Sequence, residues 1–97
     1  MYHSRREAGD AIWLDSLFQR GLIKEVIPQY KISIDINGVH ITNHFVDFKV
    51  TLNDSRVKMV ETKGFYTDIW RFKLRLIRAI YPEMVYLVNP NEKQLLL

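Results

Sequence analysis

At 97 residues, 47% hydrophobic and 26% charged, the chain has the make-up of one globular domain spanning 1–97, and its 12% aromatic content argues against a disordered segment. It has no cysteine, which excludes disulfides, thiolate zinc sites and thiol nucleophiles and suits a reducing compartment, so the cytoplasm is the expected location. Fourteen Lys and Arg against eleven Asp and Glu leave a net charge of +3, which permits a polyanionic partner. Charges interrupt every apolar stretch, so neither a membrane span nor a signal peptide is expected.

Ser4-Arg5-Arg6-Glu7 has the form of a capping box and opens a first helix at roughly residues 5–20, with Ala8, Ala11, Ile12, Leu14, Leu17 and Phe18 at helical spacing and Gly21 at its end. Tyr30, Ile32, Ile34 and Ile36 alternate with polar residues as in a half-buried strand. Asn37-Gly38 then predicts a two-residue type I′ hairpin, setting Ile36 opposite Val39, Asp35 opposite His40 and Ile34 opposite Ile41. Phe45–Val50 reads as a third run, ending at Asn53-Asp54-Ser55, and Val57–Lys63 as a fourth, ending at Gly64. Thr67-Asp68 begins a second helix that Pro82 closes near Tyr81, and Met84–Val88 forms a last strand. The order is helix, three or four strands, helix, strand, a mixed α/β arrangement on one sheet.

Several charged residues fall on apolar faces. Glu7 shares a helical stripe with Ala11, Leu14 and Phe18, and either the capping box or a buried role accounts for it. Glu61 and Lys63 project from the same strand face as Val57 and Met59, and the hairpin brings Asp47, on the face of Phe45, beside Glu61. Two adjacent carboxylates repel unless a cation lies between them, and a hard divalent ion suits oxygen ligands, whereas a cross-strand pair of Asp47 with Lys63 is the plainer arrangement. Lys73 lies between Ile69, Ile77 and Ile80 on the second helix, where it either meets an anion or lays its stem over apolar neighbours. Arg71, Arg75 and Arg78 make a basic stripe that fits a phosphate backbone or a solvated face.

Other chemistries find little support. His3, His40 and His44 do not have a zinc-binding spacing, Gly38 and Gly64 are isolated rather than part of a phosphate loop, and Ser33 and Ser55 lack a nucleophile elbow.

Taken together, Glu7 on a first helix, Asp47 on a strand, Glu61-Thr62-Lys63 on the next and a basic helix after it resemble the PD-(D/E)xK nuclease superfamily across nearly the whole chain. The strings Ser4-Arg5-Arg6-Glu7, Val46-Asp47-Phe48, Val60-Glu61-Thr62-Lys63-Gly64-Phe65, Thr67-Asp68 and Arg71-Phe72-Lys73 resemble a family of small phage-encoded endonuclease-like proteins within it. Holliday-junction resolvases and transposon-end nucleases share that core. Val46 stands where the motif has proline.

The resemblance implies a restriction-endonuclease-like α-β-β-β-α-β core, with a mixed sheet flanked by two helices. It implies Mg²⁺ (or Mn²⁺) held by Asp47, Glu61, the Thr62 carbonyl and Glu7, with Lys63 orienting or activating the water. Metal-assisted phosphodiester hydrolysis of DNA, in phage or prophage recombination or processing within the host cell cytoplasm, is the implied activity. Arg5, Arg6, Arg71, Lys73, Arg75 and Arg78 are the expected phosphate contacts. So short a chain offers little surface to grip a duplex, so a homodimer is expected, with Leu95-Leu96-Leu97 either at its interface or frayed. The rival readings are a non-catalytic nucleic-acid-binding module of the same fold and an RNA-directed nuclease.

Overall fold

The computed structural model describes residues 5–61, 66–88, 92 and 95–97, with the side chains of residues 5–7 outside that description. Helix α1 (Arg5–Gln19) leads into strands β1 (Ile23–Ile36), β2 (Val39–Leu52) and β3 (Val57–Val60), then helix α2 (Asp68–Ile80) and strand β4 (Val85–Leu87). The strands form one mixed sheet in the order β1-β2-β3-β4, antiparallel from β1 to β3 and parallel between β3 and β4. A parallel neighbour needs a crossover, and α2 supplies it.

Local chemistry explains the ends of these elements. After α1, Gly21 turns left-handed at φ 74°, and the amides of Gly21 and Leu22 donate to Phe18 and Leu17 at 3.0 and 2.9 Å. Those are the paired bonds of a Schellman cap, which only glycine closes without strain. The Thr67 hydroxyl accepts from the Trp70 amide at 3.1 Å and caps α2, which stops at Ile80 ahead of Pro82. The expected capping box of Ser4 and Glu7 lies outside the described residues.

Asn37 and Gly38 both have positive φ, 53° and 77°, as a type I′ turn requires, and Ile36 faces Val39 and Asp35 faces His40. The register then slips, so Ile34 faces Thr42 rather than Ile41. The expected second and third runs are one strand, because polar Thr42, Asn43 and His44 continue the ladder opposite Ile34, Ser33 and Ile32. β1 likewise begins seven residues before Tyr30 and tolerates Pro28 because it is an edge strand.

Two apolar clusters, one for each helix, receive alternating residues of the central strands. Leu14 and Leu17 of α1 pack with Phe48, Val50, Val60 and Leu87, while Trp70, Leu74 and Ile77 of α2 pack with Ile32, Ile34, Val46, Met59 and Tyr86. Neighbours in sequence therefore divide between the clusters, Met59 from Val60 and Tyr86 from Leu87, as expected for strands covered on both faces.

Two readings of the pattern are corrected. The buried stripe of α1 is Asp10, Leu14 and Leu17, with Phe18 exposed. The tail is not frayed at Leu96, which is fully buried in the α1 cluster, and the buried Lys58 Nζ donates to the Leu95 and Leu96 carbonyls at 2.5 and 2.7 Å.

Candidate active site

The site lies where β2 and β3 reach α2. The β2–β3 ladder ends at Phe48 opposite Val60, and continuing that register by one residue places Asp47 across from Glu61, just beyond β3. Directly opposed residues of an antiparallel pair share a face, and both carboxylates are buried. The Glu61 amide donates to the Leu87 carbonyl at 2.8 Å, holding this end of β3 against β4.

Glu61 Oε1 is the acceptor at the centre of three side chains. The Tyr86 hydroxyl donates to it at 2.5 Å and the Trp70 indole N–H at 3.1 Å, and His44 Nε2 lies 3.0 Å away. His44 Nε2 is also 3.0 Å from the Tyr86 oxygen. Because the phenol has one proton and gives it to Glu61, its oxygen can only accept from His44, which assigns a hydrogen to Nε2. One helix and two strands thus converge on a single carboxylate oxygen.

The electrostatics follow from this enclosure. Burial pushes the Glu61 carboxyl up, but hydrogen bonds from His44 and Tyr86, the charge of His44 when protonated and the Trp70 bond outweigh it, so the group sits below its ordinary value. Burial pushes the Tyr86 phenol far up, and the negative charges of Glu61 and Asp47 add to that. Tyr86 therefore remains a donor.

Of the residues singled out from sequence, Asp47 and Glu61 are brought together. Lys63 and Thr62, and the side chains of Glu7, Arg5 and Arg6, lie outside the described residues. Among the described residues Lys73 meets no anion: its Nζ donates to the Asn43 carbonyl at 3.2 Å, and the side chain is half-buried. Arg71, Arg75 and Arg78 are exposed, and Arg78 also donates to the Tyr86 carbonyl at 3.3 Å.

Phe45 and Asp47 do not share a face, contrary to the regular alternation. Val46, Asp47 and Phe48 are buried in succession, and His44 meets the same Glu61 that opposes Asp47 across three residues of strand. Alternation must therefore break between Val46 and Asp47, which leaves Phe45 outside at 53% exposure. Across from this break, Gln29 follows Pro28 with φ 51°, a left-handed residue in mid-strand. Irregularities of this kind re-aim side chains next to functional sites.

Sequence reasoning missed His44, Tyr86 and Trp70 as partners of Glu61. Trp70 is legible as the first member of the Leu74 and Ile77 stripe, whereas His44 comes into reach only through the break in β2. Asp10 was also missed, although it stands four and seven residues before Leu14 and Leu17, on the buried stripe of α1.

Tyr86→Phe removes one donor from a buried carboxylate and is expected to cost about 1.5–3 kcal/mol in urea unfolding. The same variant tests the charge. Glu61 has a folded-state value below its unfolded one, so it contributes stability that is present above about pH 4.3 and lost as the pH falls below it. Losing the Tyr86 bond narrows that gap, so the variant's stability deficit is expected to shrink in acid, measured by urea unfolding at pH 7 and pH 3.

Among the described residues, no three His, Asp or Glu side chains converge to hold a metal ion. Asp47 and Glu61 carry hard carboxylate oxygens of the kind a divalent ion takes, and Glu61 Oε1 already accepts from the side chains around it. No described helix is long and apolar enough to cross a membrane. Comparison with known proteins returns no match among family models, curated proteins or solved structures.

Proposed function

We propose that this chain is a Mg²⁺- or Mn²⁺-dependent endodeoxyribonuclease of the PD-(D/E)xK type, acting in DNA recombination or processing. The observation that carries the reading is the buried opposition of Asp47 and Glu61 across β2 and β3, immediately before the stretch that leads into α2. Two carboxylates buried side by side raise the cost of ionising each other unless a cation or hydrogen-bond donors offset them, and a hard divalent ion suits that role. The element order α1-β1-β2-β3-α2-β4, with β4 parallel to β3, supports a restriction-endonuclease-like core.

In this reading Asp47, Glu61, the Thr62 carbonyl and Glu7 would hold the ion, and Tyr86, Trp70 and His44 keep Glu61 ionised and oriented. When bound, the ion supplies a water acidic enough to attack near neutral pH and a sink for phosphate charge. Lys63 would orient the attacking water and offset the negative charge of the carboxylates. Arg71, Arg75 and Arg78, with Arg5, Arg6 and the stem-anchored Lys73, contact the phosphate backbone without reading sequence.

The second reading, a nucleic-acid-binding module without catalysis, has one observation in its favour: the three donors on Glu61 Oε1 satisfy that oxygen as they would a purely structural carboxylate. Cleavage of labelled single-stranded, duplex, flapped and four-way-junction DNA and of an RNA, with Mg²⁺, Mn²⁺ or chelator, separates the two. Metal-dependent cutting of DNA is expected, with at least about a hundredfold loss in Asp47→Asn and in Lys63→Ala. Binding without cutting favours the module, and cutting confined to RNA the ribonuclease.

A further inference from the structure

β1 is an edge of the sheet, and its two halves differ. The first half carries features that block strand addition: Pro28, the left-handed Gln29, and the exposed charges Lys24 and Glu25. The second half, Tyr30–Ile36, has three isoleucines, no proline or glycine, and one positive and one negative side chain. Such a segment on an edge that no other described strand pairs with is a template for another strand. The Ser33 carbonyl accepts from the Tyr81 hydroxyl at 2.7 Å, which sets the backbone groups of Ser33, and by alternation those of Lys31 and Asp35, on the edge away from β2. The second lone pair of that carbonyl is available to a further donor.

We propose that this edge pairs with the same edge of a second copy, antiparallel about a two-fold axis at Ser33. The segment Tyr-Lys-Ile-Ser-Ile-Asp-Ile is self-complementary about its central serine. Antiparallel pairing there sets Lys31 opposite the partner's Asp35, Ile32 opposite the partner's Ile34, and Tyr30 opposite the partner's Ile36. Lys31 and Asp35 are both exposed, and Ile36, 41% exposed in one copy, gains the partner's Tyr30. A slip of one residue in either direction would set Lys31 against the partner's Ile34 or the partner's Ile36 and turn the apolar ladder to the wrong face, so the charge pair fixes the register. The seven residues extend about 24 Å, and the pairing would join two four-stranded sheets into one. This inference does not depend on the nuclease reading.

The test is sedimentation equilibrium of the full chain, with circular dichroism to verify folding. The wild type is expected to dimerise. Lys31→Glu, an exposed substitution that leaves the core untouched, places like charges opposite one another at two symmetric points and is expected to weaken the dimer by about tenfold or more. Asp35 also accepts from Ser33 and contacts His40 within its own chain, so Asp35→Lys is used only with Lys31→Glu, where the exchanged charges are expected to restore the dimer. A wild type that stays monomeric, or a dimer indifferent to Lys31→Glu, overturns the proposal. Failure of the double variant to recover overturns the register, as does an edge that instead takes up an unrelated extended peptide.

Discussion

Glu61→Ala is expected to destabilise the protein by about 3–5 kcal/mol, the range for removing one partner of a buried charged cluster. The substitution deletes the shared acceptor and leaves the Tyr86 hydroxyl, the Trp70 indole and His44 Nε2 buried around an empty position. An unsatisfied buried donor costs more than its bond contributed when made, and water can reach this place only if the cage opens. Asp47→Asn is the informative contrast. It keeps the shape and one acceptor oxygen, so it is expected to cost less than Glu61→Ala. The larger cost at Glu61 follows from the three side chains that converge on its Oε1. Urea unfolding of both variants at neutral pH measures it, and a Glu61→Ala cost below about 1 kcal/mol would mean that the three donors find other partners.

Phe48→Ala is the second large effect, also expected at about 3–5 kcal/mol. Phe48 is 1% exposed and is the largest fully buried side chain among the described residues. It packs with Leu14 and Leu17 of α1 and with Val60 and Leu87 of the neighbouring strands, so truncation opens a cavity where one helix and the central strands meet. A site enclosed by two layers collapses poorly, which places the expected cost in the upper part of that range. Because Phe48 follows Asp47 and pairs with Val60, the same truncation is expected to loosen the Asp47–Glu61 opposition, seen as weaker amide-exchange protection at Glu61 than at Ile34 on the α2 side.

The helices and the hairpin turn were legible because their signals are local. Gly21, Thr67, Pro82 and Asn37-Gly38 each impose one backbone geometry, and each acts within a few residues. Pairing the two runs as a hairpin brought Asp47 near Glu61 in the sequence reading, but on the face of Phe45, which the structure leaves exposed while Asp47 is buried. The cage around Glu61 was not legible, because His44 reaches it only where the two-residue alternation of β2 fails beside a left-handed glutamine, and no local preference announces that break. The polar run Thr42-Asn43-His44 resembles a loop in composition yet continues the strand, since its partners in β1 supply the ladder bonds. The place of Leu96 could not be read from its neighbours either, as it depends on Lys58, 38 positions away, holding the adjacent carbonyls.

The central claim is that Asp47 and Glu61 form a divalent-cation site, and amide line broadening by Mn²⁺ tests it most directly. In two-dimensional NMR spectra, signals from residues flanking Asp47 and Glu61 are expected to broaden first as Mn²⁺ is added, to recover on addition of excess Mg²⁺, and to be spared in Asp47→Asn. Broadening that begins elsewhere, such as at the exposed Asp54 or Asp35, or that persists unchanged in Asp47→Asn, would contradict the account.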